Sequence, residues 1–529
     1  MVEPKLVLRV LCLLTVAGVL SGQTITSAAA ARLLEQSSWG PTATTIARVQ
    51  QIGFDAYLDE QFAAQPSSMP DVPANANGVQ PVGPVQQQFF LNAATGSDQL
   101  RQRVAFALSE IFVVSAVKLT TADQILPYLR LLQADAFSSF PQIVSDVTLS
   151  PPTGHYLDMV NNDKPNAATG READENYARE LLQLFTIGLY ELNDDGSWKL
   201  LNGHPISTYD QSVIQGFARA FTGWTYPPKP GAAPASHNPA YFEGQMVAVQ
   251  ANHDTASKTL LNGTTLPANL TAQQDLDSAL NNILAHPNVA PFISRQLIQH
   301  LVTGDPRPEY VARVAAAFRT TNGDMKTVIR AILLDPDARA GDNRSLSPRT
   351  LFPRDPAPGE KPPGQQASSG HLTEPVLYIN RVLRALGATV TVDNGLAAQG
   401  SAMGQNVFYS PSVFNYFSPG YRIETASEGA VNAPEFQTLS TSTAMRRVDF
   451  INSLVYRTIS GVTLDWSPYL TLSAGALVDS LNASLLHGRM SAQTRASVLK
   501  AVNAQTSAKA RAQAAVYLIA AASEYQVER

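Results

Sequence analysis

Apolar residues recur along this chain at helical spacing. Leu100, Val104, Leu108 and Ile111 stand at i, i+4, i+8 and i+11, which gathers them into one stripe and predicts a helix with a buried face. Val289 to Leu301, Val311 to Phe318 and Met325 to Leu334 carry the same period, and Asn322-Gly323 supplies a stop between the last two. Thr208 and Gln211 fit a capping box ahead of Val213, Phe217 and Ala220. Pro375 suits the first turn of a helix running through Leu377, Val382 and Leu386, because its missing N–H is not needed there. The Ala-rich stretch from Ala492 to Ala521 suits two closing helices. Strand-like alternation is sparse, with Thr389 to Val392 a short exception. The pattern predicts an all-α protein, a large irregular multi-helix globule.

Three stretches break the period: Pro66 to Pro84, Pro227 to Pro239 and Ser345 to Gly370. Pro, Gly and small polar residues cannot continue a helix, so all three predict loops. The third separates two candidate helical lobes, 31–342 and 371–529, across a Pro-rich loop, 343–370. An insertion within a single domain, 31–529, fits the same pattern. No internal repeat of fixed period is present, so a solenoid is not supported.

The N-terminus predicts a signal peptide over residues 1–30. Lys5 supplies positive charge, Leu6 to Leu20 form an apolar stretch, and Ser27, Ala28, Ala29 and Ala30 are small. Arg9 interrupts the stretch, and a buried N-terminal helix is the competing reading. A spanning segment needs about 20 uninterrupted apolar residues, and neither this segment nor a later one reaches that. The expectation is an exported protein, periplasmic or secreted. The only cysteine, Cys12, falls inside the segment, so the mature chain would hold no disulfide, thiolate ligand or cysteine nucleophile. At 44 % apolar and 15 % charged the chain has enough apolar material for a large core. Its net charge of -5 and lack of basic runs argue against nucleic acid as a partner.

Six ordered blocks stand out. They are YLDMVNNDKPN (Tyr156 to Asn166), ENYARELLQLFTIG (Glu175 to Gly188), FARAFTGW (Phe217 to Trp224), NHDTASKT (Asn252 to Thr259), GQNVFYSPSVFNYFSP (Gly404 to Pro419) and APEFQ (Ala433 to Gln437). Together they resemble the large bacterial family catalogued as domain of unknown function 1800, and the resemblance runs from AARLLEQSSWGPT near Ala30 to the closing YLIAAASEYQVER. It implies export, and a partner from a neighbouring exported family that looks like sulfatases or alkaline phosphatases. It implies no catalytic residues, because none are established for the family. Ala173-Asp174 stands where the family often has Pro-Asn, and Ala256 where Gly is common, which lessens the need for a positive-φ turn there.

Polar residues within these blocks are the candidates for chemistry. On a helix from Asp174 to Gly188, at about 100° per residue, Glu175, Asn176, Arg179, Glu180 and Gln183 fall opposite the apolar arc. They read either as a solvated face with an i,i+4 ion pair worth about 0.2–0.5 kcal/mol, or as one wall of a polar cleft with Glu175 or Glu180 as base or ligand. His253 and Asp254 with Lys258 read either as an acid/base or metal-binding group with an anion-holding lysine, or as a staple in which His253 satisfies a buried carbonyl. Arg101 and Arg103 lie near a helix N-terminus, where a cation opposes the dipole; a distant carboxylate such as Glu175 would compensate, and plain surface exposure is the alternative. Trp224 is a sugar-stacking platform or a core anchor. Phe408, Tyr409, Phe414, Tyr416 and Phe417 read first as core and second as an apolar groove.

Glu191 to Asn202 lacks the leading Asp and the twelfth-position Glu of a calcium loop and reads as an Asn-Asp-Gly turn. No H-E-x-x-H, G-x-S-x-G, Walker or dinucleotide motif occurs, and the sequence specifies neither metal nor cofactor. Two functions follow. One is an exported protein acting on or binding an extracytoplasmic polymer or partner protein. The other is a hydrolase with a Glu/Arg/His/Asp/Lys site, metal-assisted in one version, which requires Glu175, Arg179, His253 and Lys258 to meet.

Overall fold

The computed structural model describes residues 25–342, 370–425 and 429–528. The first 24 residues, with Cys12 and most of the expected leader, lie outside the described residues, as does nearly all of the Pro-rich segment 343–370. The first helix, Ser27–Ser37, is capped by Thr26, whose hydroxyl accepts from the Ala29 N–H at 3.1 Å. Ala29 and Ala30 are buried, so Ser27 to Ala30 belong to the folded body.

Helices dominate. Gln99–Ile111, Val289–Leu301 and Met325–Leu334 match the periodic stretches closely, and Pro308–Thr320 extends its stretch because Pro308 is accepted in a first turn. The Ala-rich end forms Ala492–Asn503 and Ala508–Ala521. Among the described residues the strands form six two-stranded antiparallel ribbons, including Thr389–Val390 with Val462–Thr463 and His371–Leu372 with Val527–Glu528. No helix among the described residues is long and apolar enough to cross a membrane. The fold is all-α.

Two local expectations are corrected. Asp210, not Thr208, caps helix Gln211–Ala220: its carboxylate accepts from the Ser212 and Val213 N–H groups at 2.9 and 3.2 Å. Thr208 instead donates to the Gly188 carbonyl at 2.6 Å. The helix expected over Asp174 to Gly188 is α only over Asn176–Glu180 and then opens into a π-helix, Leu181–Thr186. A wider i→i+5 turn breaks the 3.6-residue period on which the helical wheel rests.

Burial divides the apolar interior into two main cores. The larger runs from Ala30 to Ala338; the second collects residues between Val376 and Tyr525 and takes in Trp39, Phe90, Ala93 and Phe106 from the first part of the chain. Trp39 stands 5.2 Å, ring to ring, from both Phe89 and Phe106. Phe408, at φ 70°, packs against both cores. Glu35 on the first helix ties the parts together by accepting from Arg381 at 2.7 Å and Arg489 at 2.8 Å.

Candidate functional site

The residues singled out in sequence separate into two groups. On helix Asn176–Glu180 and its N-cap, Arg179 donates to Glu175 Oε2 at 2.8 Å, and Gln211 Nε2 donates to the same oxygen at 2.7 Å. Asn176 donates to Asp158 at 3.0 Å, and Lys118 pairs with Asp158 at 2.6 Å. The Arg179 and Glu175 side chains are 40 % and 28 % exposed, which makes this a solvated surface. Glu180 departs from its neighbours. It is buried, its Oε2 has no hydrogen-bond partner, and burial raises its carboxyl pKa against the pull of Arg179.

The second group is closed on itself. His253 Nε2 lies 2.9 Å and Lys258 Nζ 2.6 Å from Asp275 Oδ2, with all three side chains at most 1 % exposed. His253 Nδ1 lies 2.8 Å from the Thr222 carbonyl oxygen, Lys258 donates to the Ala256 carbonyl at 2.8 Å, and Arg219 pairs with Asp254 at 2.6 Å. Gly223, at φ 84°, lies against His253; a Cβ there would fall 2.8 Å from the histidine Cβ. Every charge has its partner inside the protein, the arrangement of a loop staple. Gln211 and Arg219, which touch one group each, are eight residues apart on one helix, or about 12 Å. The required meeting of Glu175, Arg179, His253 and Lys258 does not occur.

Burial decides three further expectations. Arg101 donates to the Gln133 carbonyl at 3.1 Å and stacks 4.6 Å above Phe137, so its charge is spread over local partners and does not reach Glu175. Arg103, fully buried rather than exposed, donates to the His300 carbonyl at 3.0 Å. Trp224 is 3 % exposed and offers no face to a sugar.

Arg103 belongs to a cluster that sequence reasoning missed. Glu110 shares its helix, Gln99–Ile111; His300 comes from Val289–Leu301, Arg447 from Thr441–Tyr456, and His371 and Glu528 from opposite strands of one ribbon. Glu374 is the N-cap of Pro375–Ala385, extended as a residue before proline must be. Gln405 organises the centre. Its Oε1 accepts the Val376 N–H at 2.9 Å, one of the unpaired donors of that helix start, which turns its Nε2 toward Glu110 Oε1 at 3.2 Å and Glu374 Oε2 at 2.5 Å. His300 Nδ1 lies 3.2 Å from Glu110 Oε2, off the line of a hydrogen bond. His371 stands between two acids, with Nδ1 2.7 Å from Glu435 and Nε2 3.6 Å from Glu528.

Burial sets the protonation states. It pushes the Glu110 carboxyl up to about 7 and, with Glu110 alongside, the Glu374 carboxyl up to about 8. It takes His300 down to about 4. It also disfavours a charged His371, but Glu435 and Glu528 outweigh it and hold that imidazole at about 10. Near neutral pH the site thus offers a neutral imidazole, an imidazolium and two carboxyls that titrate close to neutrality, a spread of the kind that assigns acid and base roles. Buried atoms without hydrogen-bond partners include Glu110 Oε2, Glu435 Oε2, Glu528 Oε1 and His371 Nε2. Among the described residues no group of three or more His, Cys, Asp or Glu is arranged to hold a metal ion.

Some of this cluster left a trace in the sequence. Gln405 and Glu435 lie inside two of the quoted blocks. Arg103 and Glu110, seven residues and so about 10.5 Å apart, share one face of the helix on the flank of the Leu100 stripe. No curated protein and no solved structure matches the chain. The family model described as Protein of unknown function (DUF1800) matches residues 32–527, which takes in both cores apart from Ala30 and every residue of the cluster except Glu528, and the chain belongs to that family.

Proposed function

We propose that the chain is an exported hydrolase working by acid–base catalysis, with Glu110 and Glu374 as its carboxyl pair. The observation that carries this reading is the single Gln405 amino group donating to both carboxyls, with all three residues buried. Two acids so close share a proton rather than ionise together. The ionised one takes a proton from water, the hydroxide so formed attacks the scissile carbon, and the protonated one gives its proton to the leaving group. His300, neutral beside Glu110, relays protons. The charged stretch and apolar run of residues 1–30 support export.

The test is a screen of the purified full chain on ester, peptide and glycoside substrates, with Glu374→Gln and Glu110→Gln alongside. The expected result is a loss of about 10²–10⁴-fold in kcat in either variant with an unchanged circular-dichroism spectrum. Equal turnover in all three proteins, or none on every substrate, removes the reading. Purified protein that still carries residues 1–24 in the cytoplasm removes export.

A second reading is an exported protein that binds a polymer or a partner protein, a sulfatase-like exported protein among them. One stretch favours it: Leu189, Tyr190, Trp198, Leu200 and Leu201 are between 37 % and 65 % exposed, with the Tyr190 and Trp198 rings 5.3 Å apart. Contiguous exposed apolar surface of this kind marks contact sites.

A further inference from the structure

The cluster contains two buried guanidinium groups that no carboxylate meets at ion-pair distance among the described residues. Arg103 is 0 % and Arg447 1 % exposed. Each donates one N–H to a backbone carbonyl, Arg103 to His300 at 3.0 Å and Arg447 to Thr373 at 2.8 Å. Each lies 5.4 Å from the centre of an aromatic ring, Trp39 and Tyr378 respectively. Arg103 Nε, Arg447 Nε and Arg447 Nη2 have no hydrogen-bond partner. Arg381, equally buried nearby, shows the ordinary solution, because its Nη2 sits 2.7 Å from Glu35.

The acids of the cluster are turned elsewhere. Glu435 and Glu528 face His371, while Glu110 and Glu374 face Gln405. Both guanidiniums nevertheless reach the backbone beside these acids, Arg447 at the carbonyl of Thr373, the residue before Glu374, and Arg103 at the carbonyl of His300, whose ring stands 3.2 Å from Glu110. A buried guanidinium with unused N–H groups and no carboxylate at ion-pair distance is strongly disfavoured, and its planar fork suits an oxyanion. We infer that Arg103 and Arg447 hold an oxyanion beside Glu374, the carboxylate, sulfate or phosphate group of the molecule on which the protein acts. The inference rests on the hydrolase reading only in calling that molecule a substrate. It narrows the substrate class to compounds bearing a negative charge next to the bond that is cleaved.

Calorimetric titration and thermal melting of the full chain test it, with acetate, sulfate and phosphate as probes and chloride at matched ionic strength as control. The expected result is one-to-one binding of at least one oxyanion, with a saturable rise in Tm that chloride does not produce. Arg447→Met should weaken that binding at least tenfold, while the surface variant Arg330→Met keeps it. Should Arg447→Met fail to fold, the stoichiometry and saturation seen with the unaltered chain still decide the matter. A rise in Tm that is linear in salt and alike in both proteins overturns the inference, because excluded salts stabilise any fold in that way. The two readings fail separately. Loss of turnover in Glu374→Gln without oxyanion binding removes the anion site alone, and one-to-one binding without turnover removes the hydrolase alone.

Discussion

Lys258 shows how partners, more than residue types, decide what a motif does. Its ammonium shares Asp275 with His253 in the interior, so truncation leaves an uncompensated carboxylate. Lys258→Ala should cost about 3–5 kcal/mol in denaturant unfolding while leaving the kcat of the folded fraction unchanged. His253, Asp254 and Lys258 were legible as a group, but Asp275 was not, since its role depends on approach through space. The carboxyl pair makes a different forecast. Glu110 and Glu374 hold protons in the folded state up to about 7 and about 8, far above an unfolded glutamate. The folded protein therefore binds more protons than the unfolded chain across that window. This stabilisation is complete below the unfolded glutamate pKa and is lost as pH rises through the folded values. Melting curves should show Tm falling from mildly acidic pH toward pH 8, and Glu110→Gln/Glu374→Gln should flatten the fall.

Elements were most legible where a regular period ran long. Val289–Leu301 and Met325–Leu334 end where their apolar stripes place them. Legibility failed where backbone geometry departs from that period. The π-helix Leu181–Thr186 follows Glu180 directly, and a residue on the polar side of the wheel ends up buried with an unpartnered oxygen. The cap two residues after Thr208 is a milder case, in which a carboxylate reaching two N–H groups prevails over the capping-box pattern. Asp210→Ala should cost about 0.5–2 kcal/mol, read from the shift in denaturation midpoint at constant m.

At the scale of the whole molecule, Trp39, Phe90 and Phe106 lend the second core residues that belong by sequence to the first. Cores joined in this way should melt together, so calorimetry is expected to show one transition, and Trp39→Ala should lower it as a unit at a cost of about 3–5 kcal/mol. Two separate transitions would mean that the shared aromatics do not couple the cores. The candidate site is legible only at this scale. Its members come from positions 103, 110, 300, 371, 374, 405, 435, 447 and 528, and no short window of sequence contains enough of them to suggest a site. The tie at Glu35 sets the timing of assembly. Its guanidinium partners lie 346 and 454 residues further along the chain. A ribosome adding about 5–20 residues each second releases Glu35 some tens of seconds before Arg489 exists. Throughout that interval Glu35 lacks its Arg489 partner, while the apolar face of its helix already has Ala43–Ile52 and Gln99–Ile111 to pack against. The first helix can therefore dock early in the first core, and only its ionic tie to the second part of the chain waits until Arg381 and Arg489 have been made.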